Sequence, residues 1–283
     1  MLRPKKSLGQ VFLSDTNLLA KIARLAEAQG KVVVEIGAGD GRLTELLAKQ
    51  AAMVYPVEVD RELFAFLKAR FADAANVVPL HRDATKLQLA KISASDGQRT
   101  KIKVVGNLPY NSFVQIILTL MGQLDQIEDI RVMAQEEMAN RLTAAPRTHQ
   151  YGRLSVSAQA RTRVRRLVRA PRTAFWPRPK VDSVFVALSP REGPFSSEEV
   201  EVLFDRFVSA AFGHRRKTLI NSLGQSSYFA PKISLIGELL AQSGIPTTCR
   251  AEDIEVDKYI ALVARLAEVQ PGEGLSEGVL RDE

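Results

Sequence analysis

The pentapeptide Gly106-Asn107-Leu108-Pro109-Tyr110 closes the apolar run at 102–105. An apolar run that ends in Gly and Pro predicts a buried strand stopping at a tight, fixed turn. That turn carries one amide, one constrained backbone carbonyl and one aromatic ring. Together these groups suit a flat base with an exocyclic amine. The Asn107 amide oxygen and the Leu108 carbonyl can accept from the two N–H bonds, Pro109 fixes the carbonyl direction, and Tyr110 can stack on the base face. The same residues also read as a plain strand-to-helix turn with a packed Tyr. What decides between the two is what else the chain brings to this turn.

Three other predicted strand ends carry polar chemistry. The β-branched run Val32–Ile36 breaks into Gly37-Ala38-Gly39-Asp40-Gly41, a turn whose backbone can approach a ligand and whose N–H groups open a helix. A second strand at 53–57 ends in Glu58, about twenty residues on, where a carboxylate can accept both hydroxyls of a ribose. A third at 76–80 leads to Asp83, placed to accept from an adenine amine. A nicotinamide dinucleotide would want G-x-G-x-x-G, but Leu43 and Thr44 follow Gly41 where that spacing would close. Hydride transfer would also need a His or Tyr acid, and the sequence offers none in place. S-adenosylmethionine needs no pyrophosphate clamp, only room for its methionine chain against the glycine turn. With Asn107 and Tyr110 at the fourth strand, the methyl donor is the better fit.

These side chains need a scaffold that gathers them. Strands alternating with helices to about residue 145 predict an α/β fold with a doubly wound, mainly parallel sheet. Ligands in such sheets sit beyond the carboxyl ends of the strands, so the glycine turn, Glu58, Asp83 and Asn107 should line one sheet edge. Ahead of the first strand, Leu18, Leu19 and Ile22 mark a helix with Asp15 or Thr16 as N-cap. Residues 91–101 read as a surface loop. Arg153, Arg161, Arg163, Arg165, Arg166, Arg169 and Arg172, interleaved with Val164, Leu167 and Val168, predict an edge strand with one basic face. A stiff loop at 174–180 and a strand at 181–188 follow. From Ser196 the pattern is helical, with Val200, Leu203, Phe204, Phe207 and Val208 on one face and a capping signal at Ser196-Ser197-Glu198-Glu199. The expected division is a cofactor-binding catalytic domain at 1–190, a helical RNA-binding domain at 191–270 and a disordered tail at 271–283.

Bulk properties fit this plan. The chain of 283 residues carries a net charge of +7, with a pI near 9.6, which favours an anionic partner. Its single cysteine, Cys249, excludes an internal disulfide framework and a Cys-based zinc cluster. Three scattered histidines suggest no metal site. No apolar stretch approaches the ~20 residues of a membrane helix. A soluble, cytoplasmic protein is expected.

Glu35-Ile36-Gly37-Ala38-Gly39, Val57-Glu58-Val59-Asp60, Asp83-Ala84 and Asn107-Leu108-Pro109-Tyr110 resemble the ordered motifs of the ribosomal RNA adenine N6-dimethyltransferases. Leu8-Gly9-Gln10-x-Phe12-Leu13, Phe175-x-Pro177-x-Pro179-Lys180-Val181-Asp182-Ser183 and Arg215-Arg216-Lys217-Thr218-Leu219-x-Asn221-Ser222-Leu223 are similar to that family too. The likeness runs from about Ser7 to Leu266 and is closest to the KsgA/RsmA type, which methylates small-subunit ribosomal RNA. It implies a Rossmann-like S-adenosylmethionine-dependent methyltransferase with a small all-helical C-terminal domain. It places cofactor contacts on Val11, Leu13, Gly37, Gly39, Glu58, Asp83, Ala84 and Asn107, and catalysis on Asn107, Leu108, Pro109 and Tyr110. Phe175 then faces Tyr110 across the target base. Position 11 departs from the pattern: the family usually has Asn there, and valine offers only its backbone. The implied reaction is methylation, likewise N6-dimethylation, of two adjacent adenosines in a loop near the 3′ end of 16S RNA, within a 30S particle, by a monomer. Arg163, Arg165 and Arg166, with Arg215, Arg216 and Lys217, are the expected phosphate contacts. A large-subunit RNA or DNA adenine methyltransferase, and a non-catalytic ribosome assembly factor with a degenerate pocket, are the alternatives.

Overall fold

The computed structural model of the chain describes Lys5 and residues 9–93 and 101–269. The expected tail at 271–283, most of the loop expected at 91–101 and Leu8 of the N-terminal motif lie outside the described residues. The chain divides into two compact units: Met1–Asn140 with Thr162–Pro190, and Arg141–Arg161 with Arg191–Glu283.

The first unit contains β1 (Phe12–Leu13), α1 (Thr16–Leu25), β2 (Val32–Ile36), α2 (Arg42–Ala48), β3 (Met53–Glu58), α3 (Arg61–Arg70), β4 (Leu80–His81), α4 (Ala90–Ser93), β5 (Ile102–Asn107), α5 (Phe113–Met121) and β6 (Ile127–Gln135). After α6 (Glu136–Leu142) and α7 (Arg153–Arg161) come β7 (Thr162–Ala170), β8 (Phe175–Trp176) and β9 (Ser183–Pro190). The main sheet runs β4-β3-β2-β5-β6-β9-β7. Pairings from β4 across to β6 are parallel, and β9 is antiparallel to both its neighbours. The chain winds outward from β2 in one direction and returns at β5 to wind in the other. The carboxyl ends of β2 and β5 therefore flank the switch point, where sheets of this kind bind ligands. The doubly wound fold is as expected from the alternating pattern.

Local chemistry sets these elements. Asp15 caps α1 by accepting from the Leu18 amide at 2.9 Å, and α1 turns Leu19, Ile22 and Ala23 into the core. Val33, Val34, Ile36, Val104 and Val105 are buried on both sheet faces, which accounts for their uninterrupted apolar runs. Gly106 belongs to β5 because a Cβ there would lie 2.1 Å from the Ile36 carbonyl oxygen.

Three details differ from the sequence-based expectation. The third strand is only the pair Leu80–His81, preceded by an isolated parallel bridge between Val54 and Val77. The Arg-rich stretch is not all strand: Arg153–Arg161 is helical, and only Thr162–Ala170 forms the edge strand. And β6, in the middle of the sheet, carries charges that hide its character. Asp129 and Arg131 are each 5% exposed. Asp129 accepts from Lys103 Nζ at 2.8 Å and from Arg131 Nε at 2.7 Å. The Arg131 guanidinium also donates to the Leu25 carbonyl and the Glu27 carboxylate. This network ties the end of α1 to β5 and β6 by mutual neutralisation of groups that could not be buried singly.

The second unit is helical: α7, α8 (Glu198–Ala211), α9 (Leu219–Leu223), α10 (Ile233–Gln242) and α11 (Val256–Val269). Phe204, Phe207, Leu219, Leu223, Phe229 and Tyr259 lie in its core. Ser197 caps α8 by accepting from the Val200 amide. The unit differs from the expected 191–270 division by including residues 141–161. Arg161 explains why: it is 4% exposed, pairs with Glu201 and Asp205 at 2.8 and 2.9 Å, and lies over the Phe195 and Phe204 rings. It is a core cation of the helical unit.

Candidate active site

At the carboxyl edge of β2, β3 and β5 lies a cavity of about 370 Å³. Val11, Leu13, Gly37, Gly39, Glu58, Asp83, Ala84, Asn107, Leu108, Pro109 and Tyr110 all line it. These residues are scattered through the first 110 positions; the sheet topology gathers those at the strand ends, and the anchored N-terminal segment adds Val11 and Leu13.

The glycine turn permits close packing. Gly37 has φ +72°, and a Cβ there would lie 2.8 Å from the Asn107 carbonyl oxygen. The turn can thus rest directly against the end of β5 only as glycine. Glu58 is 6% exposed, and its carboxylate accepts the Gly39, Val59 and Asp60 amides at 3.0, 2.9 and 3.0 Å. Burial pushes its pKa up, against the pull of those three amides. Only Gly39 uses Oε2, which leaves that oxygen acceptor capacity toward the cavity. Asp83 Oδ1 takes the Thr85 amide and hydroxyl at 2.9 and 2.7 Å, leaving its second oxygen without a partner among the described residues.

At the end of β5 the amide of Asn107 is held by one end. Its Nδ2 donates to the Val11 carbonyl at 2.7 Å. Its Oδ1 is buried and has no partner among the described residues. A buried amide oxygen left open costs about 1–3 kcal/mol, so it marks a place prepared for a donor. At position 11 this contact uses a backbone carbonyl, which valine supplies as well as asparagine would. No donor among the described residues reaches the Leu108 carbonyl. The Tyr110 hydroxyl shares a hydrogen with Ser183 Oγ at 2.9 Å across the sheet, and burial raises the phenol's pKa. The ring stays neutral.

The segment that supplies Val11 is itself anchored. Lys5 Nζ lies 2.9 Å from the Asp60 carboxylate, and Gln10 Nε2 donates to it at 3.2 Å. Asp60 also caps α3, so Lys5 and Gln10 are pinned to the element beside Glu58.

Glu35 also lines the cavity, and the sequence reading passed over it. It is 1% exposed, takes the Thr44 hydroxyl at 2.5 Å, and burial pushes its pKa up to about 8. The available signal was a lone acid inside a β-branched strand. Because the folded pKa lies above that of the unfolded chain, Glu35 favours folding below the unfolded value, and this contribution is lost as pH rises to about 8. Glu35→Gln is expected to remove a pH-dependent loss of about 1.4 kcal/mol per unit across that window. Denaturant unfolding at pH 5 and pH 8 tests this. Equal pH dependence in the two proteins would contradict it.

Phe175 does not reach the cavity. It is 3% exposed and packs in the core with Leu13, its cross-strand partner in the β1–β8 ribbon. The expected facing of Phe175 and Tyr110 across a base is not present in this structure. Arg163, Arg165 and Arg166 are exposed on β7, with Arg166 donating to Asn140 Oδ1 at 2.5 Å. In the helical unit, Arg215, Arg216 and Lys217 are exposed on the turn before α9, which Thr218 caps. Among the described residues no cluster of His, Cys, Asp and Glu could hold a metal ion, and no helix is long and apolar enough to cross a membrane.

The chain matches a family model described as "Ribosomal RNA adenine dimethylase" over residues 1–267. It is 40% identical over 265 residues to "Ribosomal RNA small subunit methyltransferase A" of Moorella thermoacetica, covering 92% of this chain and 91% of that protein. It is 37% identical over 261 residues to the protein of the same name from Bacillus pumilus, covering 91% and 89%. Among solved structures it superposes on a dimethyladenosine transferase from Plasmodium falciparum with a TM-score of 0.76 at 22% identity, covering 91% of this chain and 98% of that one. The 23S rRNA methyltransferase ErmE gives a TM-score of 0.65 at 24% identity, covering 90% and 99%. These two likenesses bear on the fold.

Proposed function

The chain belongs to the ribosomal RNA adenine dimethylase family, and from that premise and its site we propose that it methylates the N6 amine of adenosines in small-subunit ribosomal RNA. The observation that carries this reading is the Asn107 amide, oriented by the Val11 carbonyl and left with a buried acceptor oxygen open.

S-adenosylmethionine, when bound, supplies an electrophilic methyl group. The residues present fit it: a cavity of about 370 Å³, a glycine turn against which a chain can lie, and acidic groups at Glu58 and Asp83 suited to ribose hydroxyls and an adenine amine. The chain's own work is on the acceptor. An adenine amine is a poor nucleophile because its lone pair is delocalised into the ring. Asn107 Oδ1 and the Leu108 carbonyl accept its two hydrogens, and this drains the lone pair from the ring toward a tetrahedral nitrogen. Pro109, with φ −63°, fixes the direction of the carbonyl before it. Tyr110 stacks on the base, its tilt set by Ser183. The alkylated nitrogen is acidic and gives its proton to water, so no strong base is required. Alignment of the reacting atoms accounts for most of the acceleration, up to about 7–11 kcal/mol.

Because the amine is occupied in a duplex, the target is single-stranded or looped out. We assign phosphate contacts to Arg163, Arg165 and Arg166 and to Arg215, Arg216 and Lys217, and a small-subunit particle as the context. The triple change Arg215→Glu, Arg216→Glu, Lys217→Glu should lower RNA methylation at physiological salt by at least about 10³-fold, with cofactor affinity unchanged. An unaltered rate would remove that surface from the substrate path.

Tyr110→Phe forfeits one hydrogen bond and should keep transfer within about tenfold of wild type. Tyr110→Ala forfeits stacking and should lower kcat/KM by about 10–100-fold. A Phe variant as poor as the Ala variant would assign chemistry to the hydroxyl. The test of the whole reading is labelled methyl transfer to unmethylated small subunits, naked RNA and DNA in parallel, with the product base mapped. Transfer to DNA alone, or to none of the three, would reject it.

A further inference from the structure

The β1–β8 ribbon has two faces. Its buried face carries the cross-strand pair Leu13 and Phe175, both in the core. The other face carries Phe12 opposite Trp176. Residues directly opposite in an antiparallel pair project on the same side with their Cβ atoms about 4.5–5.5 Å apart. Phe12 turns its ring onto the glycine turn, where a Cβ on Gly39 would meet it at 2.9 Å, and it lines the cavity. Trp176 therefore stands one side chain away from the cavity wall. It is 51% exposed, the most open Phe, Tyr or Trp ring among the described residues.

The loop beyond continues the pattern. Trp176, Arg178 and Lys180 are exposed, while Pro177 and Pro179 between them are partly covered. The loop is held at its base by Asp182, whose carboxylate accepts the Arg172 amide and the Arg169 guanidinium, both at 2.8 Å. Arg172 and Arg169 are exposed as well. An indole with cations on the same short loop, fixed by proline and an ion pair, matches the chemistry of a single-stranded nucleotide: a flat base and an anionic backbone. Acidic peptides would answer the cations but leave the indole without a partner.

We propose that Trp176 is a stacking platform for a nucleotide flanking the target adenosine, with Arg178 and Lys180 on its phosphates. This rests on the RNA-methylating reading above and extends it from the reacting base to its neighbour. It also gives the aromatic loop a role that buried Phe175 does not fill in this structure.

Trp176 is the single tryptophan of the chain, so intrinsic fluorescence reports on it alone. A single-stranded, adenosine-containing oligoribonucleotide, added to the full-length protein until labelled-oligonucleotide anisotropy saturates, is expected to quench that emission. Asn107→Ala should quench equally although its methyl transfer is lowered by about 10²–10³-fold. With unmethylated small subunits, Trp176→Ala should raise KM about tenfold with kcat and cofactor affinity unchanged, and Trp176→Phe should restore most of the affinity. Unaltered emission at saturating oligoribonucleotide, or a Trp176→Ala variant with wild-type KM, would overturn the assignment. A wild-type chain that is quenched yet methylates nothing would keep this contact and reject the functional reading it extends.

Discussion

Asn107→Ala is expected to lower kcat for methyl transfer by about 10²–10³-fold while the protein stays folded and still binds its cofactor. The expectation follows from what each end of the amide does. Nδ2 spends its hydrogen bond on the Val11 carbonyl, so Oδ1 is held buried and open toward the cavity. Alanine removes the acceptor and releases the segment that Val11 belongs to. Asn107→Asp separates these effects. It keeps an oxygen at the same place but has no N–H for the Val11 carbonyl, and two oxygens would face each other across that gap. The carboxylate should swing away, and activity should fall nearly as far as in the alanine variant. Single-turnover methylation of small subunits measures both. If Asp supports transfer at the wild-type rate, the Val11 clamp has no bearing on catalysis, whatever alanine does.

The second large effect concerns stability. Asp129→Ala should destabilise the sheet unit by about 3–5 kcal/mol, because it strands Lys103 without its hydrogen-bonded counter-charge and leaves Arg131 only Glu27. Lys103 is 2% exposed, so it cannot recover its hydration without opening the sheet. Glu128, at 3.6 Å, is too far to replace Asp129 in hydrogen bonding. Lys103 lies four residues from Asn107 along β5, roughly 13 Å away, so turnover per folded molecule should be unaffected. Chemical denaturation followed by two probes is needed, since a chain of two compact units need not unfold in one step. A loss below about 1 kcal/mol would show that the network is no more than a surface-type pairing.

The site was legible where a side chain's chemistry and its position at a strand end coincide. The glycine turn, Glu58, Asp83 and Asn107 could be placed at one edge because alternating elements force successive strand ends together. Strand β6 was not legible, because Asp129 neutralises Lys103 on β5 and Arg131 neutralises Glu27 just past α1, both distant in sequence, and these charges interrupt the apolar residues Ile130, Val132 and Met133. Arg161 misled for a similar reason, since an arginine amid arginines reads as surface until its acids on α8 are known. Val11 shows another limit. Its contribution is a main-chain carbonyl, and no side-chain pattern announces that. Phe175 and Trp176 both fall in the stiff loop expected at 174–180, yet adjacent residues in a strand point to opposite faces. Which of the two is exposed depends on the register with β1, a pairing across more than 160 positions.

That pairing has a consequence for the protein's own synthesis. Ser14 donates through both its amide and its hydroxyl to the Ala174 carbonyl, at 2.7 and 3.0 Å, and Phe12 and Leu13 find their strand partners only at Trp176 and Phe175. A nascent chain that has delivered Asn107, and every strand up to β6, already has the Lys5 and Gln10 ties to Asp60 but still lacks the strand partner of Phe12 and Leu13. The segment that orients the catalytic amide therefore gains its second anchor only after translation has passed the β8 region, although Asn107 itself was made long before. Truncated products ending between β6 and β8 should carry the glycine turn, Glu58 and Asp83 intact and remain inert.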